Sequence, residues 1–192
     1  MMTVANWLAG TLSGTLPPAA LAEWGISYRT VNEGDLARLV TGTFLSHDLD
    51  MFLGQFVFAA VVIGYFEWHR STLLAVLTYF FIDTVGTLIV LFGVVPFVAS
   101  VSALGHPAAH QTLDVGMSAG GFGLIGAILA GWPRKWLLLA GLLAAIGLKV
   151  WFSFEVIADS AHVICLLIGF ALQQMIAAQD QSAQREKPSE MS

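Results

Sequence analysis

Five apolar runs between Leu49 and Ala177 decide what this chain can become. The first extends from about Leu49 to Phe66 and the second from about Thr72 to Gly93. The third covers about Val115–Gly131, the fourth about Trp136–Phe154 and the fifth about Ile157–Ala177. A helix needs roughly 20 apolar residues to cross about 30 Å of hydrocarbon. Lipid offers an open backbone no hydrogen-bond partners, so each run is expected to be helical. Charged residues make up only 11% of the 192, against about 25% in a soluble domain. The expected fold is therefore an all-α, polytopic membrane protein with five transmembrane helices and the lipid bilayer around it.

The rest of the chain frames those runs. Residues 1–48 are mixed, with a turn-prone Pro17-Pro18, and form an N-terminal segment outside the cytoplasm. Residues 49–177 form the transmembrane domain. Residues 178–192 are polar and read as a disordered cytoplasmic tail. Lys and Arg in short loops set the orientation. Arg70, the pair Arg134 and Lys135, and the tail's Arg185 and Lys187 all fall on one side of five spans. That side is the cytoplasm of a bacterial inner membrane or a plasma membrane. The loop 94–114 and a turn near Glu155–Asp159 then face outward. Trp68, Trp132 and Trp136 fit an inner aromatic belt, and Trp151 an outer one. A net charge of −5 without a basic patch argues against a nucleic-acid partner. Cys165 is the only cysteine, so no intrachain disulfide forms.

Polar groups inside a membrane are costly and so are functional candidates. Ser118 lies about one turn into the third run from its outer end. His162 lies about one turn into the fifth, also from its outer end, so the two share a depth. A serine with an imidazole is the minimum apparatus for nucleophilic acyl transfer. Ser118 also occupies the first turn of its helix, where free N–H groups and the helix dipole favour a developing oxyanion. Packing explains an isolated serine, and an interior hydrogen bond explains an isolated histidine; the shared depth is what joins them. Gly116, Gly120, Gly123 and Ala127 recur at spacings of three and four and are expected on one face, with Gly126 adding to the small-residue character. Gly169 lies two turns from His162 on the same face of its own helix. Such faces let two backbones approach closely.

Asp83, in the middle of the second run, reads as a structural polar contact: protonated, bonded to Thr87, or paired with Lys149. His106 and His110 have the spacing of a helical metal pair but no third ligand, and read as solvated loop histidines. Arg38 with Glu33, Asp35, Asp48 and Asp50 reads either as a charged network or as an ordinary solvated segment. His69 reads as interfacial.

Together these residues resemble the rhomboid intramembrane serine proteases. The family's serine motif is Gly-x-Ser-Gly-x-x-x-Gly-x-x-Gly; here it reads G-M-S-A-G-G-F-G-L-I-G, with Gly116, Ser118, Gly123 and Gly126 in place. The family's last helix carries Ala-His-x-x-Gly-x-x-x-Gly; here A-H-V-I-C-L-L-I-G keeps Ala161, His162 and Gly169. Upstream, R-L-V-T-G-T-F supplies Arg38, Thr41 and Phe44 of the family's Arg-x-x-Thr-x-x-Phe. Gln55 stands where the family has an asparagine, and Glu67 and Arg70 match a later Glu and Arg. The likeness runs in the family's order over about residues 33–175.

The resemblance implies a rhomboid-like helical bundle and hydrolysis of a peptide bond in or near a transmembrane protein substrate's helix. Ser118 is then the nucleophile and His162 the general base and acid. The N–H of Ser118, the side chain of Gln55 and His47 hold the oxyanion. No metal and no organic cofactor is implied. The chain departs from the family at several points. Ala119 replaces the glycine after the nucleophile, and Cys165 a packing glycine. Gln55 is one methylene longer than asparagine, His47 is displaced by one, and Met51 replaces the second loop histidine. Met1–Gly14 is too short to span, so the family's first transmembrane helix is missing or vestigial. These departures favour a competing reading, a non-catalytic rhomboid-like protein that binds or escorts transmembrane helices. A channel or transporter would instead use Asp83 and Lys149 as a polar pathway, but there is no broken-helix pair or internal repeat to support it.

Overall fold

The computed structural model describes residues 1–101 and 110–185. Four short helices come first: α1 (Met2–Ala9), α2 (Pro18–Trp24), α3 (Tyr28–Asn32) and α4 (Arg38–Thr41). The long helices follow: α5 (Leu49–His69), then α6 (Thr72–Ile89), which passes through a π-turn (Val90–Val94) into α7 (Val95–Val101). The last three are α8 (Ser118–Ala130), α9 (Lys135–Phe152) and α10 (Val156–Arg185). Among the described residues there are no strands, only the isolated bridges Thr15 to Asp48 and Ile26 to Asp114. Among the described residues, four segments are long and apolar enough to cross a membrane: Leu49–His69, Thr72–Val101, Lys135–Phe152 and Val156–Ser182. The chain is an all-α, polytopic membrane protein.

Side-chain caps explain where two of these helices begin. The Asp48 carboxylate accepts from the N–H of Met51 at the head of α5, and Ser71 Oγ accepts from Leu74 at the head of α6. Each cap satisfies a backbone donor that has no partner inside its own helix. The outward faces of the long helices are apolar and exposed, as at Leu53, Phe56, Val57 and Val61 on α5 and Leu148 and Trp151 on α9. Such faces suit hydrocarbon rather than water.

Four boundaries differ from the sequence expectation. The second apolar run does not stop at Gly93; it stays helical through Pro96 to Val101. Proline lacks an N–H and its ring crowds the carbonyl four residues back. The wider π-turn just before it accommodates both defects. At the other end, α10 runs on to Arg185, so residues 178–185 are helix and not disordered tail. Ala178, Gln179, Gln181, Ala183 and Gln184 are good helix formers once a helix is under way. The expected outer turn near Glu155–Asp159 is shorter too, since α10 begins at Val156 and takes in Asp159.

The fourth difference bears on the site. The run Val115–Gly131 becomes a helix only from Ser118, because Gly116 adopts φ 138°, a conformation L side chains avoid. Residues before Ser118 form an extended strap. Asp114 exchanges backbone hydrogen bonds with Ile26, and the N–H of Gly116 donates to the Gly42 carbonyl. That leaves α8 with 13 residues, about 20 Å at roughly 1.5 Å per residue and too short for the whole hydrocarbon layer. It lies among α5, α6, α9 and α10. Eight of its residues are buried, four of them glycines. Residues 1–48 close over one end of this bundle. Asn6 Nδ2 donates to the Phe44 carbonyl, Leu16 N–H to that of His47 and Leu49 N–H to that of Gly14.

Candidate active site

Ser118 is the first residue of α8, so its N–H is among those that no carbonyl of the helix itself can satisfy. The Met117 side chain makes no cap there. Ser118 Oγ lies 2.7 Å from His162 Nε2. With the ring proton on Nδ1, the serine hydroxyl donates to Nε2, the geometry from which an imidazole takes that proton. The face of the imidazole is covered by Phe122, ring centroids 4.3 Å apart and planes 24° apart. Phe122 is four residues after Ser118, hence one turn down the same face of α8. Sequence reasoning missed it, although an aromatic at that spacing from a candidate nucleophile was the available signal.

The dyad forms because α8 and α10 touch backbone to backbone. A Cβ on Gly169 would run into the carbonyl of Gly123, and one on Gly126 into the Leu166 carbonyl and the Phe170 nitrogen. The expected single glycine face is not what forms. Gly120 packs on Tyr79 and Asp83 and Gly123 on Ile82, all of α6, while Gly121 packs on Phe58 of α5. Gly116 is outside the helix and faces Gln55 and Met51. A 13-residue helix with neighbours all round must be thin on every side, so its glycines are dealt to three partners. Cys165, which stands in place of a packing glycine, is fully buried against Gly86 of α6, where the small residue now lies on the opposite side of the contact.

Ser118 and His162 open onto a cavity of about 480 Å³ whose wall also includes His47, Asp83, Asp114 and Ala119. Both dyad residues are half-buried. His47 Nε2 lies 3.4 Å from Asp114 Oδ1. Its pKa is raised by that hydrogen bond, against the opposing effect of partial burial and with help from the charge of Asp114. The expected oxyanion donor is thus engaged with a carboxylate. Gln55 is not part of the cavity wall and stands behind Gly116, where a Cβ would lie 2.7 Å from Gln55 Nε2. Gln55 Oε1 accepts from Ser46 Oγ at 2.7 Å, and Nε2 is buried with no hydrogen-bond partner among the described residues.

Asp83 pairs with neither Thr87 nor Lys149. Its Oδ2 accepts from Thr43 Oγ1 at 3.0 Å and its Oδ1 from the N–H of Gly120 at 2.8 Å. A carboxylate from α6 therefore satisfies one of the free donors at the head of the serine helix, two residues from Ser118. The Tyr79 hydroxyl donates to the Met117 carbonyl at 2.8 Å and holds the same junction. Lys149 donates instead to Asp159 at 2.8 and 2.9 Å and to Glu155 at 3.1 Å, tying α9 to the start of α10. A polar pathway joining Asp83 to Lys149 is absent from these contacts.

The charges around Arg38 form a smaller network than the sequence allows. Arg38 donates to Asp35 at 2.6 Å and to the carbonyls of Ala22 and Gly25 at 2.7 and 2.8 Å. Glu33 faces Arg29, and Asp48 is spent as the α5 cap. His69 Nδ1 lies 2.8 Å from the Tyr65 carbonyl at the exposed end of α5. His110 stacks on Tyr28, while His106 lies outside the described residues. Among the described residues no three His, Cys, Asp or Glu side chains gather as metal ligands. No family model, curated protein or solved structure matches this chain.

Proposed function

We propose that this chain is a rhomboid-like intramembrane serine protease, acting on a peptide bond in or near a transmembrane helix of its substrate. The observation that carries the reading is the 2.7 Å approach of Ser118 Oγ to His162 Nε2 at a cavity wall. Ser118 attacks the scissile carbonyl while His162 takes its proton, then returns it to the leaving amine. The N–H of Ser118, at the head of α8, meets the oxyanion, and the Gln55 amide reaches it past Gly116, whose missing side chain leaves the way open. His47 is a third donor whose Nε2 must first leave Asp114. Water in the cavity then cleaves the acyl-enzyme, with His162 as base. A substrate helix has to unwind locally, since a helical peptide bond is enclosed by its own hydrogen bonds. The site faces the side of residues 1–48, outside the cytoplasm of a bacterial inner membrane or a plasma membrane, and the C-terminus lies in the cytoplasm.

A fluorophosphonate probe tests this in detergent or liposomes. Wild type is expected to be labelled, Ser118→Ala not at all, and His162→Ala about 10²–10⁴-fold more slowly, the usual worth of a general base. A folded wild type that takes no label overturns the reading in favour of a protein that binds or escorts transmembrane helices.

A further inference from the structure

The buried Gln55 amide nitrogen has no acceptor among the described residues, and the residues behind it explain why. Gln55 is 6% exposed, and its Nε2 finds no partner among the described residues. An unpaired buried amide is costly and calls for an explanation. Its other atom is fixed: Ser46 Oγ, fully buried, donates to Gln55 Oε1 at 2.7 Å. If the amide were turned over, its NH₂ would donate to Ser46 Oγ, but Oε1 would then face Gly116 and the serine proton would lose the one acceptor it has here. With Oε1 on Ser46, the NH₂ end of the amide points toward Gly116, in the strap before Ser118.

Ser46 is itself held at both ends. Its N–H donates to Asn6 Oδ1 at 2.9 Å, and its carbonyl accepts from Thr11 Oγ1 at 3.3 Å. Asn6 Nδ2 donates to the carbonyls of Phe44 and Met2, at 2.8 and 3.0 Å. From Asn6 through Ser46 to Gln55 Oε1, each side-chain polar atom is paired; only the last, Nε2, is open. That atom faces Gly116, where a Cβ would stand 2.7 Å away and block it.

We propose that Ser46 is a positioning residue that presents the donor side of the Gln55 amide to the oxyanion, with Asn6 fixing Ser46. The inference rests on the protease reading, and adds what aims its side-chain donor. An amide aimed the other way would set a carbonyl oxygen against the developing negative charge. Donors aimed in advance cost no reorganisation when that charge appears.

A double-mutant cycle on fluorophosphonate labelling tests it, because the phosphonyl oxygen takes the oxyanion's place. Gln55→Ala is expected to lower the maximal labelling rate about 10²–10³-fold, as loss of one oxyanion donor does. Ser46→Ala should lower it roughly 10–100-fold, with probe affinity unchanged. The double variant should label no more slowly than Gln55→Ala, because Ser46 acts only through Gln55. Wild-type labelling by Ser46→Ala, or two effects that multiply, overturns the proposal while leaving the protease intact. An unlabelled wild type removes the protease reading and this one with it. If thermal melts show that Ser46→Ala fails to fold, Ser46→Cys, a similar volume with a weak donor, takes its place with the same non-additivity expected.

Discussion

The two sides of Ser118 are built on opposite principles. Toward α10, the contact is backbone against backbone: Gly169 on the Gly123 carbonyl, Gly126 on Leu166 and Phe170. Toward residues 1–48, the contact is a chain of buried polar side chains, Asn6, Thr11 and Ser46 on short helices and turns, that ends on Gln55 of α5. The first arrangement fixes a distance, because a backbone cannot rotate away. The second fixes a direction, because an amide held by one hydrogen bond has only two faces to offer. A proton transfer needs the distance, and an oxyanion donor needs the direction. The difference teaches that stability and activity should separate: the glycine side fails as a fold, the polar side as a catalyst.

Gly169→Ala should break the comparison most strongly. Its new Cβ meets backbone, and backbone cannot swing aside. The loss should reach or exceed the ~1–3 kcal/mol typical of overpacked cores, seen as failure to purify as a folded species or as a large fall in melting temperature. Gly147→Ala on α9, where a Cβ meets nothing within 4 Å, should instead gain about 0.5–1 kcal/mol from helix propensity. Equal melting temperatures for the two variants would mean that α8 and α10 are not in backbone contact.

Asp83 joins the two sides, since one oxygen holds Thr43 of the outer segment and the other holds Gly120 of α8. Asp83→Ala strands the buried N–H of Gly120, at about 1–3 kcal/mol, while Thr43 Oγ1 falls back on the Leu39 carbonyl at 3.3 Å, and it should lower both the melting temperature and Ser118 labelling. Asp83→Asn keeps an acceptor for Gly120 and should lose less than half as much. If Asn proves as damaging as Ala, it is the charge that matters and not the hydrogen bond to Gly120. A smaller effect is expected at Gly86, whose Cβ would collide with Cys165 Sγ. Gly86→Ala should cost about 1–3 kcal/mol, and adding Cys165→Ala should restore most of it. With the sulfur gone, the nearest remaining side-chain atom is Cys165 Cβ at 3.6 Å, an ordinary contact. A double variant no better than the single would show that α6 and α10 do not meet there.

Much of this arrangement is legible in the sequence, and what is not has a physical pattern. Hydropathy marks the four long spans, because burial in lipid acts on whole segments. The partnership of Ser118 and His162 is legible because equal depth on two helices is a statement about rise per residue. Which neighbour each glycine touches is not, since spacing places residues on a face but does not say how many helices surround it. The start of α8 depends on φ at Gly116, and passage through Pro96 on a π-turn; both are backbone adjustments to tertiary packing. The partners of Asp83 lie 40 and 37 residues away in sequence, so local pattern offers Thr87 and charge offers Lys149 instead.

The smallest expected effect tests the cavity rim, where the outer segment meets the strap. Asp114 raises the pKa of His47 above 6.5, chiefly through the hydrogen bond between them. A raised value means that the folded chain favours the protonated ring. The stabilisation is therefore complete below the unfolded value of about 6.5 and is lost as pH rises through the higher folded value. Wild type should lose a little stability between about pH 5.5 and pH 8.5 that His47→Gln does not lose. The side chains are 40% and 26% exposed, so water screens the pair and the difference stays below about 1 kcal/mol. Paired thermal melts at the two pH values read it. Should His47→Gln keep the wild-type slope, the pH dependence belongs to another group and His47 is not held by Asp114. Its ring would then be free to turn toward Ser118, and the oxyanion would draw on His47 as well as on the Ser118 N–H and Gln55.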